Sequence, residues 1–514
     1  MNDVTSTAAL GLLALDHLQQ VVAIDSASDE CSEAVPSTIG QARLADFLAH
    51  FFTGLGAVVS RDAHANVVAR FAGVGPGLAR PPVALMVHLD TARGTRPVTT
   101  LDLARGWAGE SLPYRRNPAL QVSIENYPDL VAFAGHDVVF GPGDAPFGLD
   151  DKLGLTHLMT LARLMHDAPG RARPPVLLIG RPDEEIGRSD SLYGLARMLA
   201  DEGVRVAYTV DGIWPFEINV ENFNGAHGSL LFAARPSSDL RPYQVRVRLG
   251  GVNTHGATAK AEGHRAATRL ACEVRARLSG VATVAAFGSD AERDCDGSLT
   301  LRVADAAGRA AVEAAVLSVV RPHVPRGASS SVGPLEPATG AADGAADAAL
   351  AWIAGFLDSA PGWPLLAEDA DGRDGYSHPY RMLDAADGVR VDVRIRDFTD
   401  AGLVARKDHL QALTPPGVAL TLTDQYSNMG PALAGHPELV EWAERAAAAV
   451  GREAKVVPVR GGTGVDPFLE AGVPVANLGT GYFAPESEKE LTSLQWMADH
   501  ARWLVALLEI VATD

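Results

Sequence analysis

Cysteine is scarce in this chain. Three residues of 514, Cys31, Cys272 and Cys295, cannot build a disulfide framework. None has a second cysteine at metal-site spacing, so no paired-cysteine zinc motif is present. Cations are also short: 44 Lys and Arg stand against 63 Asp and Glu, for a net charge of -19. A surface of that sign disfavours nucleic acid, whose phosphates require basic contacts. No apolar run reaches the length that crosses a bilayer, and residues 1–8 lack the basic residue that precedes the apolar stretch of a secretory signal. Composition therefore predicts a reduced, cytoplasmic protein with no membrane or nucleic-acid partner. Walker loops, dinucleotide fingerprints and Gly-x-Ser-x-Gly elbows are missing too. The glycines at 73, 75 and 77 read as a loop ahead of Pro81 and Pro82.

What is present is organised by periodicity. The length calls for two or three domains. Leu10, Leu13, His17, Leu18, Val21 and Ile24 have helical spacing, and a second helix is expected over 42–52. A short apolar strand follows at Val67–Phe71. Residues 83–87, 176–179 and 206–210 are continuous apolar runs, the signature of strands buried on both faces. A helical stretch, 153–165, lies between the first two. From about Asn222 the texture changes. Residues 243–249, 298–303 and 389–395 alternate strictly, as half-exposed antiparallel strands do. Residues 327–347, rich in Gly, Ala, Ser and Pro, read as a long surface loop. Strands are then expected at 456–459 and 473–477, and an amphipathic helix at 493–511. The predicted fold is α/β: a mixed, mostly parallel sheet sandwiched by helices, from 1–221 and 405–514, interrupted by an inserted α+β domain at 222–404.

The polar groups fall at the ends of these runs. His88 and Asp90 follow the first buried strand, Glu184 and Glu185 the second, and Asp211 the third. In an open α/β sheet the carboxyl ends of parallel strands converge on the ligand crevice. Asp150 and Asp151 precede a helix and can reach the same edge. Zinc takes imidazole nitrogen and carboxylate oxygen and leaves a position for water. Two such ions, about 3.5–4 Å apart, share a bridging carboxylate and flank an attacking hydroxide. A further, unligated carboxylate must take the water's proton. Residues two apart on a strand project to one side, so Asp90 is placed to orient His88. Taken singly, each piece has a plainer reading: an exposed His-x-Asp, a helix cap at Asp150, a solvated turn at Glu184. Their joint occurrence at strand ends and a helix start, in one domain, predicts a metal centre.

These residues resemble the zinc-dependent family of aminopeptidases, carboxypeptidases and aminoacylases, and within it the tripeptidases. The likeness continues through Ala207-Tyr-Thr-Val-Asp-Gly212, Glu221-Asn-Phe-Asn224, Val252-Asn-Thr-His-Gly-Ala-Thr-Ala-Lys260, Ile395-Arg-Asp-Phe398, Ala405-Arg-Lys407, Tyr426-Ser-Asn-Met429 and Val459-Arg-Gly-Gly-Thr463. It breaks near 92–120 and 265–360, where this chain carries extra sequence. The resemblance implies one or two zinc ions. His88, Asp150 and Asp211 would hold one, and Asp150 and Glu185 the other. Glu184 would be the general base, Asp90 would support His88, and His255 would stabilise the tetrahedral oxyanion. Arg460, Arg396 and Asn428 would face the substrate, a guanidinium being suited to a peptide carboxylate. The inserted domain would be a lid and the surface of a homodimer. The implied reaction is hydrolysis of an amide in a short peptide through a metal-bound hydroxide. An N-acyl amino acid substrate, as in aminoacylases, is the alternative within the same chemistry.

One departure bears on activity. The family's last ligand is a histidine in a His-Glu pair ahead of the final helix. Aligning Glu490-Leu-Thr-Ser-Leu494 with that pair puts Lys489 at the ligand position, and no histidine occurs between His436 and His500. Three outcomes follow. Glu486 or Glu488 supplies an oxygen in its place; or one zinc remains, with Lys489 replacing the other's charge; or the chain is a catalytically silent peptide-binding relative. Gly464 also stands where the family has Asp. Ile213, Trp214, Pro215 and Phe216 replace a glycine-rich stretch, which predicts a narrowed substrate cleft.

Overall fold

The computed structural model of the chain describes residues 6–237, 239–339 and 343–514. They form two compact units: Met1–Asn117, Val122–Asn222 and Ser427–Asp514 make the first, and Pro118–Gln121 with Phe223–Tyr426 the second.

The first unit is built on an eight-stranded sheet. Its strands are β1 (Val58–Arg61), β2 (Val67–Phe71), β3 (Val83–His88), β4 (Val176–Arg181), β5 (Val206–Gly212), β6 (Glu217–Asn219), β7 (Lys455–Val456) and β8 (Val475–Gly479), in the order β1-β2-β4-β3-β5-β8-β6-β7. The central four, β4, β3, β5 and β8, run parallel. β1 and β2 add antiparallel pairs at one edge, and β6 is antiparallel to β8. Every residue of β3 and β4 is buried, because helices cover both faces of the sheet. Those helices include α1 (Thr7–Val22), α2 (Ile39–Gly54), α3 (Leu149–Asp167), α4 (Leu192–Asp201), α5 (Glu438–Ala449) and α6 (Leu494–Thr513). Ser6 and Ser493 cap α1 and α6 by accepting the Ala9 and Trp496 N–H groups. Leu85, Leu158, Leu178, Tyr208, Trp503 and Leu504 lie together in its core. Each such leucine contributes about 1.5–3 kcal/mol on burial.

The expected strand over 456–459 shortens to the two residues of β7. Val457 and Val459 nevertheless donate to the Ile218 and Glu221 carbonyls, so the segment stays tied to the sheet edge. A smaller antiparallel sheet in the same unit joins Asp102–Ala104, Val138–Phe140, Leu491–Ser493 and Tyr482–Phe483. The turn between its last two members, residues 484–490, carries three acids and Lys489.

Two buried imidazoles are expected to weaken this unit in acid. His157 of α3 stacks on His500 of α6, with ring centroids 3.8 Å apart. Burial pushes His157 down from 6.5 to about 4, and His17 of α1 moves likewise to about 4. Folded, both stay neutral in the range where the unfolded chain would protonate them. At these two positions the unfolded state therefore binds more protons below pH 6.5, and their contribution to stability falls as pH drops toward 4. Glu185 and Glu490 in the same unit are pushed up and act in the opposite sense, so the variant isolates the histidine: between pH 7 and pH 5 the calorimetric unfolding midpoint of His157→Gln is expected to lose less, or gain more, than that of the wild type. An unchanged slope in that variant would remove His157 from the explanation.

The second unit has two antiparallel sheets. One contains Ala282–Ser289, Gly297–Val303, Tyr243–Gly250 and Ser329–Val332, with Glu336–Pro337 also pairing to Tyr243–Gly250. Val245, Val247 and Leu249 face its core while Arg246 and Arg248 are exposed, as the alternation predicts. The other sheet runs Tyr376–Ala385, Gly388–Asp397, Asn224–Ala233, Ala419–Tyr426. Two expectations need correction. Residues 327–347 are not one long loop: Ser329–Val332 and Glu336–Pro337 form strands and a helix, Ala345–Leu357, begins. Their small residues follow the backbone pairing offered by Tyr243–Gly250, which composition does not record; residues 340–342 lie outside the described ones. The inserted segment also extends to Tyr426 rather than ending at 404, because Ala419–Tyr426 pairs with Asn224–Ala233.

Cys31, Cys272 and Cys295 are free thiols. Among the described residues no helix is long and apolar enough to cross a membrane.

Candidate metal centre

Three neighbouring parallel strands deliver the site. β3 ends on His88, β4 leads into Asp183, Glu184 and Glu185, and β5 carries Asp211. Asp150 opens α3 with a non-helical backbone. Gly148 just before it has φ +87, and a Cβ there would lie 2.7 Å from Thr91 Cγ2, so only glycine lets the chain turn into α3 at this point. His88 Nε2 is 2.9 Å from Asp150 Oδ1 and 3.4 Å from Asp211 Oδ1. His88, Asp150 and Asp211 offer donor atoms within 4.8 Å of one another, and so do Asp150, Glu185 and Glu486. The two groups share Asp150. All four residues expected as ligands are thus brought together, and Glu486 joins them.

Glu486 reaches this place through a defined turn. Its φ is +55, and its N–H donates to Glu490 Oε1 at 3.1 Å. The other Glu490 oxygen accepts from the Phe147, Gly148 and Leu149 N–H groups at 2.8, 2.8 and 3.3 Å. Glu490 therefore fastens the turn bearing Glu486 to the backbone just ahead of Asp150. Burial pushes Glu490 up to about 8, against the pull of the three N–H donors. Of the two acids expected to stand in for the missing histidine, one is in reach of the other donors. Glu486 stands in the donor group, whereas Lys489 is buried and its carbonyl accepts from the Tyr114 hydroxyl at 3.2 Å. The available signal was chemical, since a protonated lysine cannot ligate and a carboxylate three residues away can. Glu488 is buried and joins neither group.

Hydrogen bonds accepted by buried acids set this geometry. Asp90 accepts from the Glu184 and Glu185 N–H groups, both at 3.0 Å. His88 Nδ1 meets the Asp90 carbonyl oxygen at 2.9 Å and the Asp90 carboxylate only at 3.5 Å. Asp90 thus orients His88 chiefly through its backbone, while its side chain holds the Glu184–Glu185 peptides. Asp151 accepts from the His88 N–H at 3.1 Å. Asp183 accepts from the Ser37 N–H (2.9 Å), the Ser37 hydroxyl (2.5 Å) and the Gln41 amide (2.7 Å), tying the loop after β4 to α2. Asp183→Ala leaves those buried donors unpaired and is expected to cost about 2–4 kcal/mol, read as a lowered unfolding midpoint. An unchanged midpoint would show that the loop is held by other contacts.

Charge is concentrated here. Burial, then the charges of Glu486 and Asp150, push Glu185 well above the carboxylate range. Burial opposes protonation of His88, but Asp211, Asp150 and Asp90 together push it well up. Glu185 Oε1 is buried with no hydrogen-bond partner. A buried carboxylate with an orphaned oxygen, grouped with two more carboxylates, is costly in protein alone, and a divalent cation satisfies all three. The residues fit a pair of metal ions. Glu184 stands outside both groups, 3.9 Å from Nη2 of the buried Arg181, which also donates to the Thr463 carbonyl at 2.9 Å. At Gly464 a Cβ would fall 2.6 Å from Arg181 Nη1 and 3.0 Å from Glu184 Oε1. The missing Asp at 464 therefore has a local reason: Arg181 fills the space beside Glu184.

Other expected residues are held differently. Asn428 accepts from the Asn222 and Gly430 N–H groups at 3.3 and 2.8 Å and donates to Glu221. Arg460 is half-buried in the segment after β7. In the second unit, Arg396 donates to the Ala226 and Ile395 carbonyls and to Gln425, and lies over the Tyr426 ring. His255, also there, accepts from the Ala257 N–H at 3.3 Å. The bulky 213–216 segment packs inward: the Phe216 ring sits 5.0 Å from Trp503, and Trp214 leans on Phe133 and Phe483.

Known proteins resemble the chain over nearly its whole length. Peptidase T of Aeromonas salmonicida is 25% identical over 507 residues, covering 97% of this chain and 98% of that one. Peptidase T of Limosilactobacillus fermentum is 24% identical over 510 residues, with the same coverage. In fold, a tripeptidase from Staphylococcus aureus superposes with a TM-score of 0.51 at 13% identity, over 98% of this chain and 99% of that one. The aminopeptidase PepT from Bacillus cereus gives 0.50 at 14% identity with the same coverage. Residues 128–510 match Peptidase family M20/M25/M40. The chain belongs to that family of metal-dependent hydrolases acting on peptide bonds.

Proposed function

We propose that this protein is a tripeptidase-type aminopeptidase with a dinuclear centre: zinc at His88, Asp150 and Asp211, and a second ion at Asp150, Glu185 and Glu486. The observation that carries this reading is the pair of donor groups sharing Asp150. When bound, such ions lower the pKa of water and polarise the scissile carbonyl. Glu184 takes a proton from the attacking water and delivers it to the leaving amine nitrogen. Asp90 keeps Glu184 and Glu185 in register with His88 through their N–H groups. By resemblance, His255 is assigned to the oxyanion, Arg396, Arg460 and Asn428 to the substrate's polar groups, and the inserted unit to a lid and dimer surface. The active reading is favoured over a silent binding relative because Glu486 offers an oxygen beside Asp150 and Glu185.

Hydrolysis of a panel of tripeptides, dipeptides and N-acyl amino acids tests the assignment. Release of the N-terminal residue from tripeptides is expected, abolished by chelation and dialysis and restored by divalent ions. Cleavage of N-acyl amino acids alone would replace it with the aminoacylase reading.

A further inference from the structure

We propose that the two halves of the centre select different ions, zinc at His88–Asp150–Asp211 and a harder divalent cation, manganese, at Asp150–Glu185–Glu486. This rests on the dinuclear reading above and concerns its second half. The donor sets differ in kind. The first combines one imidazole nitrogen with two carboxylates, whereas the second has three carboxylates and neither nitrogen nor sulfur. Imidazole suits zinc; carboxylate oxygen suits manganese, magnesium and calcium. Calcium asks for six to eight oxygens, and magnesium parts reluctantly with water, so three protein carboxylates closing on one ion favour manganese.

The oxygen of Glu486 is a built feature of the site. Its residue sits at φ +55 in a turn fixed by Glu490, which itself takes three backbone N–H groups at the entrance to α3. Glu185, whose Oε1 is buried without a hydrogen-bond partner, supplies a second oxygen facing the same space. Three carboxylates surround the second position and two the first, with Asp150 counted in both. Zinc out-competes manganese at any one donor set in raw affinity, so the selection is a relative one. Losing the nitrogen reduces zinc's advantage, and an all-carboxylate donor set suits the harder ion.

The full chain, stripped with chelator, would be reloaded with zinc, with manganese, and with zinc plus excess manganese. Bound ions are then counted by elemental analysis, and manganese by loss of the free-ion paramagnetic resonance signal. The cluster His264–Glu368–His378 in the second unit is common to all variants and cancels in differences. Wild type is expected to hold zinc and manganese together at the centre. Glu486→His should exchange that manganese for zinc, shifting the zinc-to-manganese preference by on the order of tenfold or more. Glu486→Gln, nearly isosteric, should lose manganese by a similar factor and keep the first zinc. Two zinc ions at the centre in excess manganese, or an unchanged preference in both variants, would overturn the proposal. Equal metal content in wild type and Asp150→Ala would instead overturn the dinuclear reading itself.

Discussion

Glu184→Gln is expected to lower kcat on a tripeptide by roughly 10²–10⁴-fold, the usual worth of a positioned general base. Metal content and unfolding midpoint should stay at wild-type values. Glu184 belongs to neither donor group, and its N–H, bonded to Asp90, is untouched by the change. A glutamine keeps shape and hydrogen-bonding capacity but cannot accept the water's proton. Because the loss lies in the transition state, kcat and kcat/KM should fall together. Equal product release by wild type and variant would remove Glu184 from the chemistry, and a parallel loss of metal would recast it as a ligand.

Asp150→Ala should have the broadest effect, abolishing measurable turnover and emptying both halves of the centre. Asp150 is the one residue common to the two groups, with Oδ1 at 2.9 Å from His88 Nε2 and Oδ2 accepting from the Tyr482 hydroxyl at 3.0 Å. The midpoint of the metal-free protein should change little, because the loss of the His88 and Tyr482 hydrogen bonds is offset by relieved repulsion. Asp150 helps push Glu185 and Asp151 above the carboxylate range, so its removal relieves like-charge repulsion. Elemental analysis and calorimetry on the stripped and reloaded variant read both effects. Retention of one ion would show that the groups bind independently, and a large drop in the metal-free midpoint would show that Asp150 is chiefly a structural residue.

Sequence periodicity located the sheet because β3, β4 and β5 are buried on both faces and carry unbroken apolar runs. With the strands located, His88, Glu185 and Asp211 follow from the rule that parallel strands present their carboxyl ends together. Glu486 was legible only as one of two acids. The turn from Ala484 to Glu490 passes through positive φ at Ala484 and Glu486, so it has no period to read, and counting back from Glu490 favoured Lys489. The role of Asp90 was half-visible. Its proximity to His88 follows from strand geometry, but its grip on the Glu184 and Glu185 N–H groups is a contact between β3 and the loop after β4. The role of Asp183 has no local signal for the same reason, since its partners Ser37 and Gln41 lie some 140 residues away in sequence. In the second unit, the serines of Ser329–Val332 concealed a strand whose pairing comes entirely from its neighbour.

Anomalous diffraction from crystals of the zinc- and manganese-loaded protein tests the shared-carboxylate centre most directly. Two peaks flanking Asp150 are expected, one bounded by His88 and Asp211 and the other by Glu185 and Glu486. A lone peak with Glu486 turned away, or none beside Asp150, would contradict it.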